Sequence, residues 1–204
     1  MDIMDKIRSC QLKVAASPRR SKRTLRKHMP EMLYIGCIDA RLDPIKDIGI
    51  ALGAALIHRT IAALVAGVDK KGRPHSLGEA ATVEFAVNVM KVEHIVVAGH
   101  THCGGLQACL KGCSCKTTEY LHEYLVPLNA LRKVVLKENV SHTAQSHALE
   151  ENSVKMSLKN LMSYPFIKKA VKEGRLILHG WVIDTATKRI SELDTKSGKF
   201  KAIC

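Results

Sequence analysis

A chain of 204 residues, 46% hydrophobic and 25% charged, can bury one sizeable core and is too short for several ordinary domains. Aromatic residues are only 4%, so the core must be aliphatic, and the apolar runs stop well short of the roughly 20 residues that a membrane-spanning helix needs. Charged residues alternate with regular apolar runs, which excludes a membrane protein and a disordered chain, while the formal charge of +13 favours anionic partners if it gathers on one face.

The charge is gathered at the start. Residues 1–30 hold nine basic side chains against Asp2 and Asp5. They read as a basic arm, helical in expectation, ahead of a single α/β domain over 31–204. No aromatic residue is interleaved with the arm, so a solvated helix is expected rather than a nucleic-acid contact. It has no apolar signal-type core, and the expected location is the cytoplasm.

Met32 to Gly36 is a short apolar run closed by glycine, the pattern of a buried strand, with Cys37, Asp39 and Arg41 in the loop behind it. A second run, Ala54 to His58, ends at Arg59. Ser76 and Glu79 have capping-box spacing and open a helix whose apolar positions are Ala80, Val83, Ala86, Val87 and Met90. His94 to Gly99 is a β-branched run, again closed by glycine and followed at once by His100, Cys103, Gly104 and Gly105, after which Leu106 to Leu110 suggests a helix. Helical patterns continue over 119–137 and 153–173, with Pro127 and Pro165 as boundaries. Arg175 to Asp184 is a last long strand, and Thr187 to Ile203 a hairpin turning at Ser197 and Gly198. Strands alternating with helices predict a three-layer α/β fold around a mostly parallel β-sheet, in which ligands collect beyond the carboxyl ends of the strands.

Seven cysteines, an odd number without an export signal, point to thiols available for metal or chemistry rather than to a disulfide framework. If strands 32–36 and 94–99 are neighbours, Cys37, His100 and Cys103 converge on one point. Two thiolates and an imidazole suit tetrahedral Zn²⁺ and leave a fourth position open. Asp39 is a claimant for that position, but Arg41 can grip its carboxylate bidentately, lower its pKa and hold it off the metal. An isolated His-x-x-Cys is a weak signal, because a buried cysteine or a hydrogen-bonded core histidine explains most such pairs. The joint pattern is far more specific. Cys109, Cys113 and Cys115 form a second cluster that no nearby fourth ligand completes, so a cysteine-rich helix end is its plainer reading beside metal binding or oxidation. His102 is open to a proton-relay role or to facing away from the metal, and Trp181 reads as core.

Gly36-Cys37-Ile38-Asp39-Ala40-Arg41 and Gly99-His100-Thr101-His102-Cys103-Gly104-Gly105 resemble the two signature motifs of the β-class carbonic anhydrases. The resemblance takes in Ile57 to Arg59, Val83 to Val87, Val92 to Ile95 and Leu178 to Trp181, over roughly residues 30–195. It implies reversible hydration of CO₂ to bicarbonate and a proton by a zinc-bound hydroxide. Cys37, His100 and Cys103 would be the zinc ligands and Asp39 with Arg41 the catalytic dyad, Asp39 also serving as fourth ligand in a closed state. Gly104 and Gly105 would open the next helix so that backbone N–H groups meet substrate or bicarbonate, the alternative being a simple tight turn. The family implies a homodimer or homotetramer. A site with two thiolates is formally neutral, which places the working pH above neutrality.

The match departs at Thr60-Ile61-Ala62-Ala63, where the family has Asn-x-(Gly/Ala)-Asn, and at Ala54, where it has an acid. Tyr34, Arg59 and Ile183 stand where some bacterial members bind bicarbonate with Trp, Arg and Tyr, and Ala51 lies where plant-like members place a Gln near the substrate. Two further readings stand beside the enzyme. One is a hydrolase of a sulfur analogue of CO₂ on the same metal. The other is a non-catalytic zinc-binding regulatory module whose basic arm contacts nucleic acid, against which the retention of both Asp39 and Arg41 counts.

Overall fold

The structure, a computed structural model, describes residues 3–4, 29–112 and 116–203. The expected arm over 1–30 and the pair Cys113 and Cys115 lie outside the described residues, apart from four positions of the arm. Among the described residues no helix is long and apolar enough to cross a membrane.

Six strands form one sheet in the order β2-β1-β3-β4-β5-β6. These are β1 (Met32–Cys37), β2 (Ala55–Thr60), β3 (His94–His100), β4 (Ile177–Ile183), β5 (Ile190–Asp194) and β6 (Lys199–Ala202). The first four run parallel, and the last two fold back antiparallel as the expected hairpin. Central parallel strands are covered on both faces, which is why β1 and β3 read as continuous apolar runs rather than as alternating patterns. The expected fold class, helices flanking a mostly parallel sheet, is the one observed.

The helices are α1 (Pro44–Asp47), α2 (Leu77–Glu84), α3 (Gly104–Lys111), α4 (Glu119–Leu125), α5 (Asn129–Lys137), α6 (His142–Leu161) and α7 (Pro165–Lys172). A π-helical turn, Phe85–Val89, prolongs α2, and a 3₁₀ turn around Pro127 divides α4 from α5. The helical pattern over 153–173 divides at Pro165 as expected, but the first of its two helices begins at His142, well before the expected start. The reason lies in its buried stripe: Ser146, Leu149, Glu150, Ser153, Val154, Ser157 and Leu161. Burial follows helical spacing throughout, but four of the seven residues are polar, so hydrophobic periodicity conceals the first half.

The expected capping box is not formed. Ser76 does occupy the N-cap of α2, yet its side chain makes no cap hydrogen bond. Glu79 turns inward instead, is 7% exposed, and accepts from the Ala66 N–H at 2.9 Å. One core cluster joins Leu33, Ile35, Ile95 and Val97 of the sheet to Val83, Val154 and Ile167 of the helices. A second, with Leu64, Leu106, Leu125 and Leu149, surrounds Cys37 and Cys103. The prospective site therefore sits on packed apolar ground.

Candidate metal centre

Cys37 closes β1 and His100 closes β3, and these two strands are direct neighbours. Cys103 follows at the N-cap of α3. The three ligand atoms all lie within 4.8 Å of one another, with Cys37 Sγ and Cys103 Sγ 3.9 Å apart. All three residues are buried.

The imidazole is oriented for coordination. Nδ1 of His100 lies 2.9 Å from the Thr101 carbonyl oxygen, which only accepts, so Nδ1 carries the proton and Nε2 presents its lone pair. Thr185 Oγ1 stands 3.3 Å from the same Nδ1. Nε2 is buried without a hydrogen-bond partner. A buried acceptor left bare is costly, and a metal ion is the partner the donor set fits.

The thiols report the same need. Contact with Cys103 holds the Cys37 thiol well below its ordinary range and, against the opposing effect of burial, His100 lowers it further. Cys103 is pushed up because it donates to Cys37 and because it is buried, although the backbone N–H groups of Leu106 and Gly105 act the other way. Burial disfavours the charged form of His100, yet the neighbouring Cys37 thiolate leaves its pKa raised overall.

Asp39 is clamped by Arg41 through three N–H groups. The backbone N–H and Nε each donate to Oδ1 at 2.9 Å, and Nη2 donates to Oδ2 at 2.6 Å. The guanidinium holds the carboxyl well below the usual carboxylate range. Oδ2 lies 3.8 Å from His100 Nε2, so the carboxylate borders the ligand cluster. Arg41 Nη2 also donates to the His102 carbonyl at 2.9 Å, joining the two motif loops. Arg59 spends its guanidinium on three carbonyl oxygens, those of Cys37 (2.8 Å), Asp39 (2.6 Å) and Leu42 (3.1 Å). Tyr34 is buried beneath Gly36, where an added Cβ would meet its ring at 2.5 Å.

Gly104 borders open space, whereas a Cβ on Gly105 would stand 2.7 Å from Ile61 Cγ2, so the second glycine is required by packing. Where the family carries Gly/Ala and Asn, Ala62 and Ala63 adopt φ of +59° and +53°, a conformation that strains an alanine. Cys109 is buried among Leu106, Leu110 and Leu125, as a helix-end core residue would be. His102 is exposed, with φ +56°, and Trp181 is half-buried against the Tyr34 and Val96 face of the sheet.

Sequence reasoning missed Glu150. Oε1 of this buried acid accepts from the His102 N–H at 2.8 Å and from Ser146 Oγ at 3.2 Å, holding the strained turn between the two β3-side ligands. The available signal was its place in the α6 stripe. A cavity of about 700 Å³, lined by Leu64, Glu79, Tyr124, Met156 and Asn160, lies beside the ligand cluster and includes none of its residues.

The sequence profile of the carbonic anhydrase family matches residues 32–190 of this chain. The chain belongs to the β-class carbonic anhydrases. It is 33% identical over 198 residues to the carbonic anhydrase of Pseudomonas aeruginosa, which takes in 92% of this chain and 86% of that one. In fold it matches the β-carbonic anhydrase CcaA with a TM-score of 0.89 at 24% identity, covering 98% of this chain and 100% of that one. A tetrameric β-carbonic anhydrase of Sordaria macrospora matches with a TM-score of 0.77 at 28% identity over 94% of each chain. Zinc is the cofactor of β-carbonic anhydrases, and Cys37, His100 and Cys103 are positioned as a site for it.

Proposed function

We propose that residues 31–204 form one catalytic domain that hydrates CO₂ reversibly to bicarbonate and a proton. Cys37, His100 and Cys103 hold the zinc, and the Asp39–Arg41 pair orients the reacting water. Zinc supplies the Lewis acidity that makes water nucleophilic near neutral pH. The observation that carries the rest is the clamp on Asp39. With the guanidinium across both oxygens, Asp39 stays ionised and acts only as an acceptor. At the border of the ligand cluster it takes the O–H of the reacting water and so aims the oxygen lone pair at the carbon of CO₂. The same clamp disfavours Asp39 as fourth ligand, since reaching the metal would break Arg41 contacts. Arg41 is an orienting residue and transfers no proton. The space beside Gly104, at the first turn of α3, suits the bicarbonate anion. A purely structural zinc module would have no use for this pair.

Assembly as a homodimer or homotetramer is supported by the open edge of the sheet. Among the described residues β2 pairs on one side only, and Ile57 of β2 and the neighbouring Phe85 are exposed large apolar residues. A groove of about 380 Å³ there is lined by Leu33, Leu56, Ile57, Ala81, Thr82 and Phe85. An uncovered apolar edge of this kind is an association surface, and the Sordaria macrospora relative is tetrameric. Cysteines used as free ligands suit a reducing cytoplasm.

Metal analysis with stopped-flow CO₂ hydration tests the reading. The wild type should hold about one zinc per chain and hydrate CO₂ rapidly, and Cys37→Ser should lose both. Asp39→Asn should keep its zinc and lose at least about a hundredfold in kcat. Full zinc occupancy with no hydration from about pH 7 to 9 would remove the enzyme reading.

A further inference from the structure

Lys188 lies in the turn between β4 and β5 with φ +62°, a left-handed conformation that glycine adopts freely and lysine does not. The turn closes without its side chain. Asp184 Oδ1 accepts from the N–H groups of Ala186 at 3.0 Å and Thr187 at 2.6 Å, while the Lys188 N–H bonds the Asp184 carbonyl at 2.8 Å. The ammonium instead reaches across to the loop after β1. Nζ donates to the Arg41 carbonyl at 2.7 Å and pairs with Asp47 Oδ2 at 3.0 Å. Asp47 Oδ2 in turn accepts from the Asp43 N–H at 3.0 Å, and Asp43 caps α1. One amine therefore ties the Arg41 backbone to the helix that ends the loop.

We propose that Lys188 is a positioning residue for the Asp39–Arg41 pair, its ammonium fixing the Arg41 carbonyl and thereby the direction from which Arg41 grips Asp39. The inference rests on the orienting role proposed for that pair. The Arg41 side chain is half exposed, and its recorded partners are the Asp39 carboxylate and the His102 carbonyl, so its aim depends on the backbone that carries it. The Arg41 N–H that bonds Asp39 Oδ1 and the Arg41 carbonyl held by Lys188 flank the same Cα. Pinning the carbonyl limits rotation on both sides. Without the amine the carbonyl turns to water, and the clamp relaxes with it. Backbone strain retained at a residue whose side chain holds an active-site loop is the usual place for such strain to persist.

The test separates this role from a merely structural one, because glycine at this position relieves the backbone while removing the amine. Lys188→Gly should keep or raise the thermal midpoint and keep its zinc, yet lose about tenfold in kcat with little change in KM. Lys188→Met should show the same loss in kcat with a lower midpoint, and Lys188→Arg should recover most of the rate. Amide hydrogen exchange over residues 39–43 should quicken in Lys188→Gly although global stability does not fall. Wild-type kcat in Lys188→Gly, unchanged exchange over that loop, or rates that follow the thermal midpoint or zinc content across the series would each overturn the proposal. Asp39→Asn, run alongside, separates the two readings. Normal turnover in that variant removes the orienting pair and Lys188 with it, whereas a slow Asp39→Asn beside a fast Lys188→Gly removes the Lys188 role alone.

Discussion

Two of the buried atoms without hydrogen-bond partners differ in their chemistry, His100 Nε2 within the ligand cluster and Glu79 Oε1 in the residue that lines the neighbouring cavity. The nitrogen is bare because Nδ1 is engaged by the Thr101 carbonyl, which leaves a lone pair for zinc. The oxygen belongs to an acid lining the neighbouring cavity, and burial raises the pKa of Glu79 against the lowering effect of the Ala66 N–H. An acid raised on folding gives up its proton later in the native state than in the unfolded chain. Its contribution to stability is complete below its ordinary value of 4.5 and is lost as pH rises through the folded value. Glu79→Gln keeps an acceptor for Ala66 and never ionises. Thermal midpoints measured from acid to neutral pH should show the variant gaining on the wild type as pH rises. A constant difference between the two curves would mean that Glu79 titrates alike in the folded and unfolded states, so that burial does not raise its pKa.

Among the elements, α6 does more for the site than its sequence suggests. Four polar residues line its buried stripe, and two of them, Ser146 and Glu150, bond each other while Glu150 holds the His102 turn. Its close approach to the sheet depends on two glycines. An added Cβ would stand 2.7 Å from Val154 Cγ2 at Gly99, and 2.8 Å from Leu158 Cδ1 with 2.9 Å from Val154 Cγ1 at Gly180. Both glycines are explained by helix–sheet packing, with Gly99 also one residue before His100 of the candidate metal centre. Gly180→Ala should lift α6 from β4 and cost about 1–3 kcal/mol in chemical denaturation, as overpacked cores do. A variant as stable as the wild type would show that the helix yields freely. Buried serines and a buried glutamate carry no apolar signal, so the start of α6 was not legible in hydrophobic periodicity, whereas the β-branched runs of β1 and β3 were.

At the scale of the molecule, the strand order places β1 inside the sheet, between β2 and β3, and β2 at an edge that no described strand pairs with. The interior position buries the Cys37 end of β1 on apolar clusters, and the edge leaves Ile57 and Phe85 exposed at 41% and 46%, beside the groove. Phe85→Glu combined with Ile57→Glu places like charges on that surface without touching the ligand cluster. Light scattering should show the oligomer reduced to a smaller species, because desolvating unpaired charges opposes association. Unchanged mass would assign the interface to another face. The hairpin β5–β6 extends the far edge, and the turn that leads into it carries Lys188 back to the loop after β1.

The sequence by itself determined the strand runs and the mostly parallel α/β class, and its motifs singled out Cys37, His100 and Cys103 as candidate metal ligands with Asp39 and Arg41 beside them. Each of these rests on short windows: an apolar run closed by glycine, a Cys-x-Asp-x-Arg loop, a His-x-x-Cys-Gly-Gly loop. Tertiary structure alone decided which partners those residues take. Arg59 stands at a position suited to an anion and was instead claimed by three carbonyls, Glu79 left its capping position for the Ala66 amide, and Lys188 crossed 147 positions of chain to reach Arg41. Spacing along a chain specifies what a strand or helix turns inward. A long polar side chain chooses its partner from whatever the packed fold brings within about 3 Å, and that neighbourhood exists only once the sheet has assembled.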